Sequence, residues 1–241
     1  MHGVFLSFAL KRPFSFSWRM GPLFVLLGCF FEGGSAAAQT APMWAEGELV
    51  DSTRGDLNYD GVSEWVGVYD GDHNPDSLDP PARSVLIYRR SNGNWALWMR
   101  SDQAVYGRTE GGVRGDPWGS VRIERSRLTV EQSGGSNWVW SLVEEYRCSN
   151  DTLYLTRYQS TYGKICDSWS EVDFRPGTGR VSLRLTTELC DSIPDAVPVV
   201  EDEVFYEKGW SITFEDRQSR DIAFTAPRLN KVIWIASVPQ R

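Results

Sequence analysis

Apolar and polar residues alternate with a period of two along most of this chain beyond residue 47. Short alternating runs are separated by Gly, Asn, Asp and Pro. No long stretch repeats apolar residues at helical spacing. Period-two alternation is what strands with one buried face require. The pattern predicts an all-β fold over 48–241: a single antiparallel β-meander domain of roughly nine to eleven strands, built as a sandwich or a curled sheet.

Several hairpins can be read with their register. Val85–Tyr88 and Trp95–Trp98 flank Asn92-Gly93, a strong two-residue hairpin signal. That turn sets Tyr88 opposite Leu97 and Ile87 opposite Trp98. A tight turn at Arg125-Ser126 brings Val121 and Ile123 to Val130 and Leu128. Around Asn150-Asp151, Tyr146 faces Leu155 and Glu144 faces Arg157. A hairpin centred on Thr178 sets Cys166 opposite Cys190. Facing positions of an antiparallel pair bring Cβ atoms within disulfide reach, so a Cys166–Cys190 bridge is expected. Cys148 is then left free, a small buried hydrophobe beside Trp140, Leu142 and Tyr146. In the tail, Val204–Tyr206, Trp210–Phe214 and Val232–Ala236 read as further strands.

The first forty residues break the pattern. Lys11, Arg12 and Arg19 precede an apolar run from Pro22 to Phe31, and Ser35-Ala36-Ala37-Ala38 follows. Positive, apolar, then small is the order of a secretory signal peptide. The run is shorter than the ~20 residues a spanning helix needs, so no transmembrane segment is expected once the signal is removed. Residues 1–38 are assigned to the signal and 39–47 to a linker. Cleavage after Ala38 suits the small residues. Leu26-Leu27-Gly28-Cys29 offers the alternative of a lipid anchor at Cys29. Either route exports the chain, to the periplasm or beyond. An oxidising destination agrees with the expected disulfide.

Removal of 1–38 takes away three basic residues and Glu32, moving the net charge from −7 to about −9. Such a surface repels nucleic acid and suits a cation or a basic partner. His73 becomes the only histidine, in an acidic loop-like stretch. No Ser-His-Asp or zinc-type constellation stands out.

One segment carries chemistry: Asp56-Leu57-Asn58-Tyr59-Asp60-Gly61-Val62-Ser63-Glu64. Oxygens at every second residue converge when the chain wraps an ion. Calcium takes six to eight oxygen ligands in flexible geometry. Asp56, Asn58 and Asp60 supply side-chain oxygens and Val62 a carbonyl. Glu64 closes the set directly or through water, and Gly61 allows the turn. An EF-hand needs a glutamate at its twelfth position, which is Gly67 here. The segment followed by Trp65-Val66-Gly67-Val68-Tyr69 instead resembles the calcium loop of FG-GAP and VCBS-type repeats. That resemblance implies bound Ca2+ and an exported setting. Glu64 stands where that family usually has Asp. A single copy does not make a propeller. Over roughly residues 60–190 the chain also resembles uncharacterised exported bacterial proteins. These combine one such loop with Gly115-Asp116-Pro117-Trp118 and Gly134-Gly135-Ser136-Asn137-Trp138-Val139-Trp140 segments.

Three readings of function follow. The first is a calcium-stabilised binding module for a protein or glycan partner, with no catalytic residues and the ion acting as a staple. The second is a carboxylate-dependent saccharide hydrolase. The third is a periplasmic immunity or inhibitor protein covering a basic toxin. Trp138 and Trp140 share one strand face and are either a stacking surface or packed core.

Overall fold

Alternation becomes structure as thirteen antiparallel strands among the described residues. The computed structural model describes residues 47–71, 83–188, 190, 197–217 and 222–235. All of these belong to one compact unit, 40–241. The expected signal peptide, most of the linker, Cys29 and His73 lie outside the described residues.

Strands β1 (Glu48–Gly55), β2 (Glu64–Asp70), β3 (Arg83–Ser91) and β4 (Asn94–Ser101) form a four-stranded sheet in chain order. A 3-10 turn, Gly112–Arg114, leads to a seven-stranded sheet. Its members are β5 (Trp118–Ile123), β6 (Arg127–Gly135), β7 (Val139–Ser149), β8 (Thr152–Lys164), β9 (Ser168–Arg175), β10 (Arg180–Thr187) and β11 (Val199–Tyr206). They too pair strictly with their chain neighbours. A last hairpin joins β12 (Ile222–Ala226) and β13 (Lys231–Ile235). The sheets are open, and their inward residues share one core.

β1 crosses β5 closely. A Cβ on Gly55 would meet Ile123 Cγ2 at 2.5 Å. Asp51 Oδ2 accepts hydrogen bonds from Trp118 Nε1 and Val121 N, both 3.3 Å. Every residue of β2 is buried. Val66 and Val68 enter the main core, while Trp65 and Tyr69 join Leu86 and Tyr88 on the other face.

The predicted turns are present. Asn92-Gly93, Arg125-Ser126 and Asn150-Asp151 all have positive φ at both positions, the geometry whose twist matches paired strands. The Val121–Val130, Ile123–Leu128, Tyr88–Leu97 and Tyr146–Leu155 pairs form as read. Two registers differ. Ile87 faces Met99, because Trp98 is bulged out of the β3–β4 ladder. Arg157 faces Glu145, and Glu144 faces Tyr158, because Thr156 is the extra residue on β8. A bulge inserts one unpaired residue and shifts every pair beyond it.

Cys166 and Cys190 are bonded, although the register that predicted them is off by one. β9 and β10 pair Arg175 with Arg180 and end at Ser168 with Thr187. The cysteines meet just past that end, with Cα atoms 5.0 Å apart. Cys166 lies in the β8–β9 turn with φ 61°. Cys148 is free and half-buried against the core, and burial raises its thiol pKa.

Trp210–Phe214 is not a full strand. β9 stops short along β8, and Ile212–Phe214 fills the open side. Leu155 N donates to Ile212 O at 2.8 Å and Phe214 N to Leu153 O at 2.9 Å. β12 is a strand that the alternation did not single out. Its Phe224 wedges against Phe174, Phe205 and Trp210, with ring centroids 5.0, 6.5 and 5.5 Å away.

Candidate functional site

The acidic loop joins β1 to β2, where Gly55 faces Glu64. Its middle is exposed and its base is not. Leu57 is fully buried and anchors the loop in the core. The carboxylates are oriented by backbone amides. Asp56 Oδ1 accepts from Tyr59 N at 2.7 Å and Oδ2 from Gly61 N at 3.0 Å. Asn58 Oδ1 accepts from Asp60 N at 3.0 Å, and Asp60 Oδ1 from Val62 N at 2.7 Å. Tyr59 and Gly61, with φ 64° and 83°, make the wrap possible. A carboxylate has about four lone-pair sites, so each oxygen keeps capacity beyond its amide.

Glu64 is 1% exposed, and its Oε2 accepts from Leu57 N at 2.6 Å. Burial raises its pKa. The Leu57 amide pulls it back down, while Asp60 and Asp56 push it up again. Three carboxylates and one amide oxygen within nine residues, with no basic side chain among them, are a donor set suited to a hard cation. Val62 is exposed, and its amide donates to Asp60 Oδ1. The five predicted residues share one loop, but the Asp56, Asp60 and Glu64 carboxylates do not gather into one cluster, because Glu64 is drawn inward at its base to the Leu57 amide.

Tyr59 ties this loop to the larger sheet. Its hydroxyl donates to Arg125 O at 3.3 Å and accepts from Arg147 Nη1 at 2.8 Å. The loop therefore sits at the end of the seven-stranded sheet that carries the β5–β6 and β7–β8 turns.

A cleft of about 620 Å³ opens at the other end of that sheet. The paired registers arrange its floor in rows. One row runs Trp140, Tyr162, Ser170, Leu185, Glu201, and the next runs Leu142, Ser160, Val172, Leu183, Glu203. Lys231 and Ile233 of β13 line the cleft from the final hairpin. Its volume is typical of small-molecule sites, which span about 300–1,000 Å³.

The tryptophans of the Gly134–Trp140 segment stand at this cleft, each packed on a tyrosine, with Trp138 37% exposed. Trp140 is 9% exposed and packs on Tyr106 with centroids 5.0 Å apart. Trp138 stacks on Tyr162 at 5.3 Å and 16°, with Lys164 Nζ 6.0 Å from its ring. Of the cleft carboxylates, Asp167 meets Lys164 Nζ at 3.3 Å and the Ser168 hydroxyl at 3.3 Å. Glu201 is exposed on the edge strand β11.

The Gly115–Trp118 segment has a structural task. Asp116 receives both Nη groups of Arg83 and caps Trp118 N at 2.9 Å. No protein-family model matches this sequence, and neither does any curated protein or solved structure. Among the described residues, no helix is long and apolar enough to cross a membrane.

Proposed function

We propose that this chain is an exported, calcium-stabilised β protein that acts as a binding module, with the cleft on the seven-stranded sheet as its ligand site. The observation that carries this reading is the cleft itself, an opening of about 620 Å³ above a floor whose Leu142, Val172 and Leu183 belong to the packed core. Calcium belongs to the opposite end of the sheet. Arg147 and Trp140 are seven residues apart on β7, roughly 23 Å at ~3.3 Å per residue. An ion held by Asp56, Asn58, Asp60, the Val62 carbonyl and Glu64 is too far away to touch a ligand. Its effect is to pin the β1–β2 connection, and through Tyr59 two hairpin turns of the larger sheet. The hydrolase reading has less support, since Asp167 is already paired and Glu201 stands at the far end of its row.

Calcium is tested by melting. At the affinities of extracellular modules, about 10 mM calcium gives ten- to hundredfold saturation. That stabilises by about 1.4–2.7 kcal/mol, or roughly 3–10 °C for a domain of this size. Chelator reverses the shift and Asp60→Ala removes it. A melting temperature indifferent to calcium would reduce the loop to a turn.

The binding site is tested by NMR titration with a small-molecule extract of the native envelope. Bound compounds perturb Leu142, Val172 and Leu183 and leave the 56–64 loop unmoved. Leu185→Trp, at a partly buried position near the mouth, abolishes those changes. Perturbations elsewhere, or none, would remove the cleft as the site.

A further inference from the structure

We infer that the cleft takes an aliphatic chain, the acyl or alkyl tail of a single-chain amphiphile whose polar head stays at the mouth. This rests on the reading of the cleft as a ligand site and adds the class of ligand.

The floor decides it. Leu142, Val172, Leu183 and Leu185 lie in adjoining rows, and Ile233 adds a fifth aliphatic side chain from the hairpin. The inner end is closed by Tyr158, whose hydroxyl is engaged by Ser160. In the same row as Tyr158, Phe174 and Phe205 are covered by Phe224. The polar groups are placed differently. The Ser168 hydroxyl is used by Asp167. Ser170 and Thr187 add hydroxyls toward the mouth, and the Ser160 hydroxyl of the inner row is taken up by Tyr158. Charge at the mouth is balanced, because Asp167 is paired with Lys164, leaving Glu201 and Lys231 on facing elements.

A saccharide suits this lining poorly. Each sugar ring buries several hydroxyls, which must find partners or lose their hydration uncompensated. Trp138 and Trp140 are each packed on a tyrosine, while Trp169 and Trp234 also line the cleft, so what disfavours a sugar is the aliphatic floor rather than a lack of aromatic rings. A hydrocarbon chain needs only apolar wall, and two adjoining rows about 7 Å apart supply it.

The test uses the full chain after export, with a series of fatty acids from octanoate to hexadecanoate and lysophospholipids of the same chains, all below their micelle concentrations. Calorimetry is expected to show saturable one-to-one binding that tightens about fourfold per added methylene until the chain fills the cleft. That factor is the equivalent of ~0.8 kcal/mol per buried CH2. Both head classes binding alike means that the chain alone is recognised. Lysophospholipids binding and fatty acids not means that Glu201 and Lys231 also read the head. Both outcomes support the proposal. Leu185→Trp removes binding. Leu183→Ala, which widens the cleft, moves the plateau to longer chains. Oligosaccharides or peptides binding in the cleft while every acyl chain fails would overturn this inference and leave the binding module standing. Failure of all three classes would overturn both.

Discussion

Replacing Glu144 with Ala is expected to lower the unfolding free energy by about 3–5 kcal/mol. At ~2–4 °C per kcal/mol for a domain of this size, the melting temperature falls by roughly 6–20 °C. Glu144 continues the inward alternation of β7, and both it and Arg217 are 1% exposed. Arg217 Nε donates to Glu144 Oε1 at 2.5 Å, and the Tyr146 hydroxyl donates to Oε2. Burial alone pulls the Arg217 pKa down, but Glu144 outweighs it and holds the guanidinium charged. Arg217 Nη1 and Nη2 have no hydrogen-bond partner among the described residues. Among the described residues, Glu144 is therefore the sole anion bound to that cation. Truncation leaves the charge buried and uncompensated. The pair itself is not strongly stabilising, because both ions were stripped of water to form it. Hence the double variant Glu144→Leu/Arg217→Met recovers most of the loss. Urea unfolding of the single and double variants measures both statements. A single variant costing under about 1 kcal/mol would mean that the pair is solvated.

Arg83→Leu is expected to cost a similar amount, about 3–5 kcal/mol, by the opposite route of removing the cation. The Arg83 side chain is fully buried. Its Nε reaches Asp70 Oδ1 at 2.7 Å, and Nη1 and Nη2 reach the two Asp116 oxygens at 2.8 and 2.9 Å. One side chain thus binds β2, β3 and the segment entering β5. Without it the largely buried Asp70 carboxylate loses its cation, and Asp116, 38% exposed, keeps only the Trp118 amide and water. The variant also changes the acid limb. The hydrogen bonds from Arg83 hold the Asp116 carboxyl below its ordinary value. A depressed folded pKa supplies stability that is complete above the ordinary carboxylate range and is lost as pH falls through the depressed value. Arg83→Leu removes that depression and with it the acid-sensitive contribution, so the stability deficit of the variant is largest near neutral pH and shrinks as pH falls through the carboxylate range. Melting curves of both proteins between neutral pH and pH 3 follow the difference. A deficit that stays constant or grows toward pH 3 would contradict it.

Turn residues and strand alternation carried much of the fold. Asn92-Gly93 and Asn150-Asp151 tolerate positive φ, and the strands on either side alternate cleanly, so partners near those turns could be named from the chain alone. Partners beyond a bulge could not. Whether Trp98 or Thr156 is extruded depends on sheet twist and on packing against strands distant in sequence. The same displacement hid the pairing of Glu144 with Arg217, which are separated by 73 residues. The acidic loop was legible because its donors are spaced along one continuous segment. The cleft was not. Its walls come from five strands of one sheet and a hairpin at the end of the chain. No local spacing records how far Phe224 reaches across the floor and where it stops.

The pairing order has a consequence for how the chain assembles. Each strand of both large sheets lies beside the one made just before it. Only short loops need to close, and long searches between remote segments are avoided. Contact order is then low for a β protein, and folding is expected toward the fast end of the range for such domains. Growth strand by strand also means that an unfinished sheet always presents a raw edge. On the completed sheet that edge is β11, where Glu201 is exposed, Asp202 is paired with Arg184 on the neighbouring strand, and the buried Glu203 accepts the Arg228 and Leu229 amides. The Arg228 guanidinium further occupies the Asp202 carbonyl. The segment before β13 thus covers part of the last strand, which closes a growth process that geometry alone would leave open to neighbouring molecules.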